Sequence, residues 1–181
     1  GPPSLTLRKA VRRAERQGVP IIAAAGNYVQ TVVWPARFDQ AIAVSAINPR
    51  CVPWKHASHG RAVDISAPGE GVWRATFDAQ DVYDIGMGAG TTFATGTTAG
   101  IVALWLAQFA DDPKLEQLRS SGQLTDALRE ALADTAWKPE NPASARPPGV
   151  DCGDAPRWES DEYGPGIVDA RALLARPLRA S

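Results

Sequence analysis

A chain of 181 residues, 44% apolar and 22% charged, with a formal net charge of −1, carries enough apolar mass for one sizeable core. Its scattered basic residues exclude an electrostatic case for nucleic acid or an anionic membrane. No apolar run reaches membrane-spanning length and no secretory leader opens at residue 1. Cys51 and Cys152 are too few for a disulfide framework; they pair once or stay free, which leaves the compartment open.

In chain order, "PSLTLRKAVRRAERQG" predicts a helix with Leu7, Ala10, Val11 and Ala14 on its apolar face, Ser4 as cap and Gly18 as stop. "VPIIAAAG" and "AIAVSAI" (41–47) read as strands buried on both faces of a parallel sheet. The segment between them, "NYVQTVVWPARFDQ", is a loop carrying aromatic rings. "RAVDISAPGEGVWRAT" predicts short strands around 62–65 and 72–76, split by a Pro-Gly turn. A glycine loop at Gly86–Gly90 then leads into a helix over 92–109. Phe93, Gly96 or Thr97, Gly100, Leu104 and Ala107 trace one side of it, and its nearly continuous apolar surface predicts burial at the centre of the domain. "QLTDALREALADTAW" is an amphipathic surface helix with Leu124, Leu128 and Leu132 in register. The Pro/Gly-rich stretch 138–160 is a long irregular excursion, and "YGPGIVDARALL" ends the pattern with a turn and a short helix. Helices alternating with β-runs predict an α/β fold, a parallel sheet covered by helices on both faces.

Three places hold residues suited to chemistry. "AAAGN" ends a parallel strand at Asn27, where ligands bind in such sheets; the amide either donates to an incoming oxygen or serves a turn. At the Gly86–Gly90 loop, "GMGAGTTF" lacks the lysine of a phosphate loop. The helix start there offers free N–H groups to an oxyanion, with the Thr92 hydroxyl on the first turn either as a nucleophile or as a simple cap. His56 and His59 in "KHASHG", with Cys51 upstream, lack the spacing and the fourth ligand of a metal site. His59 as a catalytic base is weighed against an ordinary loop histidine.

Taken in order, these segments resemble the subtilisin-like serine peptidases (subtilases). "GVPIIAAAGN" is similar to the strand ending in that family's oxyanion-hole asparagine, and "WPARFDQAIAVSAIN" to the following loop and strand. "HASHGRAVDISAPGEGVW" resembles the segment with the Ala-Pro-Gly turn, here Ala67–Gly69. "GTTFATGTTAGIVALWLA" resembles the nucleophile motif Gly-Thr-Ser-Met-Ala-Thr-Pro, and "ALADTA" and "YGPGIVDARALL" the family's last two helices. The likeness runs over nearly the whole chain, with the excursion at 138–160 as an insertion.

The resemblance implies a peptidase working through an acyl-enzyme on a peptide or protein substrate, without a cofactor. It assigns Asn27 to the oxyanion hole and Thr92 to the position of the nucleophilic serine. It implies that Ala25, Gly26, Val33 and Trp34 line the pocket for the residue before the cut; Val33 stands where a glycine is common, which predicts a shallow pocket. The family's Asp and His belong to an N-terminal half that precedes the first helix here. The expectation is therefore one incomplete domain over 1–181, its sheet unfinished on the N-terminal side. The partner is that N-terminal half, cleaved or as a separate chain, supplying Asp and His. Calcium is frequent in the family, but no carboxylate cluster here suggests a metal site. The alternatives are a pseudopeptidase that binds extended peptides or scaffolds without cutting, and an unrelated α/β module holding nucleotide at Gly86–Gly90.

Overall fold

The computed structural model describes residues 3–77, 83–139, 152 and 157–179. The excursion predicted over 138–160 lies largely outside them. Helix α1 (Leu5–Arg16) starts on Ser4, whose hydroxyl accepts from the Leu7 N–H at 3.1 Å. Val11 is buried and Leu7 and Ala14 half-buried, but Ala10 faces solvent. Gly18 turns the chain at φ +65°, and a Cβ there would meet Arg119 at 2.9 Å, so only glycine fits this close crossing.

Strands β1 (Ile21–Ala24), β2 (Ala41–Ile47) and β3 (Ile65–Pro68) form a parallel sheet in the order β1-β2-β3. Val44 pairs with Ala24 on one side and Ile65 on the other. β2 is buried throughout, as its unbroken apolar run predicts. β1 is mostly half-buried, contrary to the expectation of full burial, because among the described residues β2 is its one hydrogen-bonded neighbour. β3 begins three residues later than expected. The Val63 N–H turns back to the Gly60 carbonyl, and Asp64 brackets the start of the strand with its side chain on the Ala43 N–H at 2.7 Å.

The sheet's two faces bury different residues. Ile42, Val44, Ala46, Ile65 and Ala67 pack with Ala94, Val102 and Trp105 of the long helix α2 (Thr91–Gln108). Behind it lie α3 (Pro113–Ser121), α4 (Leu124–Thr135) and α6 (Ala170–Ala175), which add Leu115, Leu118, Leu128, Leu132 and Leu173. On the other face, Ala23, Ala25, Ala41 and Ala43 meet Val32 and Ala36 of the connecting loop. α4 carries Leu124, Leu128 and Leu132 inward as predicted. α3 was not anticipated from the sequence; the Asp112 carboxylate caps it through the Lys114 N–H, with Pro113 in its first turn. The last helices are the single turn α5 (Ser160–Tyr163) and α6.

Two expectations are corrected. Gly86 and Gly88 do not form a loop: they lie in strand β5 (Tyr83–Gly88), antiparallel to β4 (Val72–Phe77). A Cβ on Gly88 would sit 2.3 Å from the Phe93 ring, so this glycine serves close packing and not a phosphate cradle. α2, expected to be buried all round, packs only through the face of Ala94, Thr98, Val102 and Trp105. The side traced by Gly96, Gly100, Leu104 and Ala107 is exposed.

The cysteines pair: Cys51 and Cys152, 101 residues apart, form a disulfide beside Ile47, Trp137, Trp158 and Ile167. A second long-range tie gathers the starts of β2 and β3. Arg129 on α4 bonds Asp64 at 2.8 Å, Asp126 at 2.6 Å and the carbonyls of Asp39 and Ala41. Burial pushes the Asp64 carboxyl above its ordinary value, against the opposing pull of the Ala43 N–H and the Arg129 guanidinium.

Candidate active site

The carboxyl end of β1 and the amino end of α2 meet at one point. Beyond Ala24 the chain stays on the sheet for one residue, with the Ala25 N–H on the Val44 carbonyl at 2.9 Å. Gly26 then turns it at φ +121°, and a Cβ there would lie 2.7 Å from Ser58 Oγ and 3.0 Å from Val33 Cγ1. This delivers Asn27 to the start of α2. Its Oδ1 accepts from the Thr91 N–H at 2.9 Å and from the Thr91 hydroxyl at 2.8 Å. The same hydroxyl oxygen accepts from the Gly26 N–H at 3.2 Å. Thr91 is fully buried, so this lock is shielded from water.

The lock decides which atoms stay free. With Oδ1 committed, Asn27 presents Nδ2, and no hydrogen bond among the described residues uses it. α2 begins without a side-chain cap on Gly90, so its first N–H groups need other partners. Thr91 N–H has Asn27, and Phe93 N–H has the Gly90 carbonyl at 3.1 Å. Among the described residues Thr92 N–H has no partner, at the positive end of the helix. A Cβ built on Gly90 would lie 3.2 Å from Asn27 Nδ2 and 3.8 Å from Thr92 N, so both donors border the space that this glycine keeps clear. The helix start is held on the sheet by the Ala-Pro-Gly turn. Gly90 N–H donates to the Gly69 carbonyl at 2.7 Å, and a Cβ on Gly69 would strike Ala46 and the Gly90 carbonyl oxygen. Thr92 itself is exposed and does not cap the helix.

A backbone amide, a carboxamide N–H pair and an exposed hydroxyl on one helix start are the donor set and the alcohol of acyl transfer. The subtilase family model matches residues 1–166. The chain belongs to the subtilase family. It is 35% identical over 102 residues to the thermostable alkaline protease of Halalkalibacterium halodurans, covering 56% of this chain and 27% of that protein. It is 32% identical over 144 residues to proprotein convertase subtilisin/kexin type 9 of Rattus norvegicus, covering 76% of this chain and 20% of that one. The chain thus spans about a quarter of the length of these curated relatives. A protease from Pseudoalteromonas arctica shares the fold with a TM-score of 0.74 at 21% identity, over 97% of this chain and 48% of that one.

The remaining sequence candidates fall at different distances from this candidate site. Ala25 is fully buried, so its side chain serves the core while its carbonyl holds the Val33 N–H at 2.8 Å. Gly26 packs against Val33, which is half-buried. Trp34 stacks on Phe38 at 4.4 Å and precedes a cis bond to Pro35. His59 pairs with Glu162 at 3.4 Å and stands 5.7 Å from the Tyr163 ring, an assignment that fits a loop histidine. Among the described residues no group of three His, Cys, Asp or Glu side chains could hold a metal. Sequence reading singled out Thr92 and passed over the role of Thr91. The Thr-Thr doublet was the available signal, but which hydroxyl turns inward is a property of the helix start.

Proposed function

We propose that this chain is the part of a subtilisin-like endopeptidase domain that carries the nucleophile position, Thr92, and the oxyanion donor, Asn27. The reading rests on one observation: Thr91 holds the Asn27 carboxamide by its oxygen, leaving Nδ2 beside the open Thr92 N–H. In this mechanism the Thr92 hydroxyl attacks the scissile carbonyl and passes its proton to a histidine, which an aspartate orients. The carbonyl oxygen, now negative, takes hydrogen bonds from Asn27 Nδ2 and Thr92 N–H. The leaving amine collects the proton from the histidine, and water then hydrolyses the acyl-threonine. The substrate is a peptide or protein chain; Gly26, Val33 and Trp34 border the pocket for the residue before the cut, and Ala25 supports it from beneath.

In this reading the histidine and aspartate come from the N-terminal half of the same domain. Two surfaces support that partner: the edge of β1, unpaired among the described residues, and the exposed side of α2 around Gly100 and Leu104. Without it this chain is not competent, because loss of the triad costs about a millionfold in rate while the oxyanion hole alone retains a small part of the catalysis.

One feature favours a second reading. Thr92 adds a methyl to the carbon that bears the attacking hydroxyl, which fixes χ1 and crowds the approach. If that rotamer aims the hydroxyl away from the carbonyl, the fold persists as a pseudopeptidase that binds extended peptides. Labelling by a serine-directed fluorophosphonate separates the two. In the complete protein, a Thr92 form that labels at a measurable rate supports the peptidase. An inert Thr92 form beside a reactive Thr92→Ser form supports the pseudopeptidase. Failure of both forms to label overturns the site.

A further inference from the structure

The residues directly after Asn27 close one side of a surface cavity of about 230 Å³. Its apolar walls are Tyr28, Val29 and Ala57; Gln30, Lys55, His56 and His59 make up its polar lining. The cavity touches the candidate site through the backbone, since Asn27 and Ala57 form a β-bridge.

Three features set this cavity apart from an ordinary surface dent. Tyr28 is a non-glycine residue in the left-handed region, at φ 63°, a conformation that persists only where the surroundings enforce it. The Tyr28 N–H donates to the His56 carbonyl at 2.7 Å, and the outward ring, 74% exposed, lies 4.7 Å from the His56 ring with Trp54 edge-on behind. Both walls are tied to buried serines. Ser58 Oγ donates to the Val29 carbonyl at 2.8 Å, Ser58 N–H to the Gly26 carbonyl, and Ser45 Oγ to the Ser58 carbonyl at 3.0 Å. The third feature is charge. No carboxylate lines the cavity, and Lys55 makes no salt bridge among the described residues. His59 is already engaged by Glu162, which leaves Lys55 and His56 facing an unfilled space.

We propose that this cavity is a specificity subsite for an acidic side chain of the substrate, flanking the scissile bond, with Lys55 and His56 as the residues that select it. The proposal rests on the peptidase reading of the adjoining site. The stem of a glutamate lies along Tyr28 and Ala57, and its carboxylate meets the Lys55 ammonium and a His56 ring N–H.

The test is fluorescence anisotropy of labelled hexapeptides on the complete protein carrying Thr92→Ala, so that no peptide is cut. Each peptide carries Glu, Gln, Lys or Leu at one of the three positions on either side of the central bond. One position is expected to bind Glu at least about fivefold more tightly than Gln. Lys55→Glu, on an exposed side chain that leaves the fold intact, reverses the order in favour of Lys, and His56→Gln reduces the Glu advantage. No position preferring Glu over Gln, a preference that survives Lys55→Glu, or no binding of any peptide overturns the subsite. The peptidase reading stands or falls separately on phosphonate labelling at residue 92, which does not involve Lys55 or His56.

Discussion

The Thr91 hydroxyl sits between Gly26 and Asn27, accepting from the backbone of the first at 3.2 Å and donating to the side chain of the second at 2.8 Å. One buried side chain therefore fixes both the turn that delivers the amide and the amide's orientation. In the Thr92→Ser form of the complete protein, Asn27→Ala should slow phosphonate labelling by about 10²–10³, the usual cost of one oxyanion donor. Thr91→Val keeps the amide but unlocks it. About tenfold slower labelling is expected, with the loss recovered in Thr91→Ser, as befits a positioning residue.

Val33 fills the space over Gly26, with methyl carbons 3.0 and 3.1 Å from where a Gly26 Cβ would be. Val33→Gly should deepen the pocket. Peptides with a large apolar residue before the cut should gain about tenfold over those with alanine there, in line with the one to three kcal/mol that a pocket methylene or two supplies. An unchanged preference profile in a peptide library would remove Val33 from the pocket.

The disulfide joins Cys51, just after the central strand, to Cys152 across 101 residues. Closing so long a loop restricts the unfolded chain strongly, and removal of such a bridge costs about 2–5 kcal/mol. Denaturant unfolding of Cys51→Ser/Cys152→Ser should show that loss as a lower midpoint.

The Arg129–Asp64 pair carries a pH signature. Burial raises the Asp64 carboxyl above 3.8, so the folded state holds that proton more tightly than the unfolded chain. The stability this group contributes is present at low pH and is lost as pH rises through the raised value. Arg129 limits the loss by stabilising the anion. Arg129→Met pushes the carboxyl higher still and costs at most about 3–5 kcal/mol near pH 7, the range for breaking a buried pair, reduced here because the guanidinium is partly exposed. The deficit should shrink towards pH 4, as Asp64 takes up its proton in the folded state and no longer needs the guanidinium. Thermal melts of both proteins across that interval check the sign; a constant difference would contradict it.

Leu104 is 58% exposed on the open side of α2. In this chain alone Leu104→Ala should change stability by less than about 0.5 kcal/mol. In the complete protein, where the proposed N-terminal half would cover this side, the same substitution should cost about 2–5 kcal/mol. Equal small effects in both would mean that nothing packs there.

Local chemistry was readable from the sequence wherever one residue or one short period decides the outcome. The unbroken apolar run 41–47 could only be an inner strand, the leucine spacing of 124–132 gave its helix a single inward face, and Ala-Pro-Gly marked the turn now seen to seat Gly69 under Gly90. Asn27 and Thr92 stand out because an amide at a parallel-strand end and a hydroxyl at a helix start are local features, and the family motifs that match them are short and contiguous. What the chain alone left open were facts about neighbours. Apolarity all round α2 did not reveal which side finds a partner, since composition carries no direction. Gly86 and Gly88 read as a loop because glycine's freedom suits one, yet Gly88 is there because the Phe93 ring leaves no room for a Cβ. Only the tertiary structure made the two cysteines partners, turned Thr91 inward and left Thr92 outside. Each of these depends on contacts between segments tens of residues apart, and no local pattern encodes which distant atom will be within hydrogen-bonding reach.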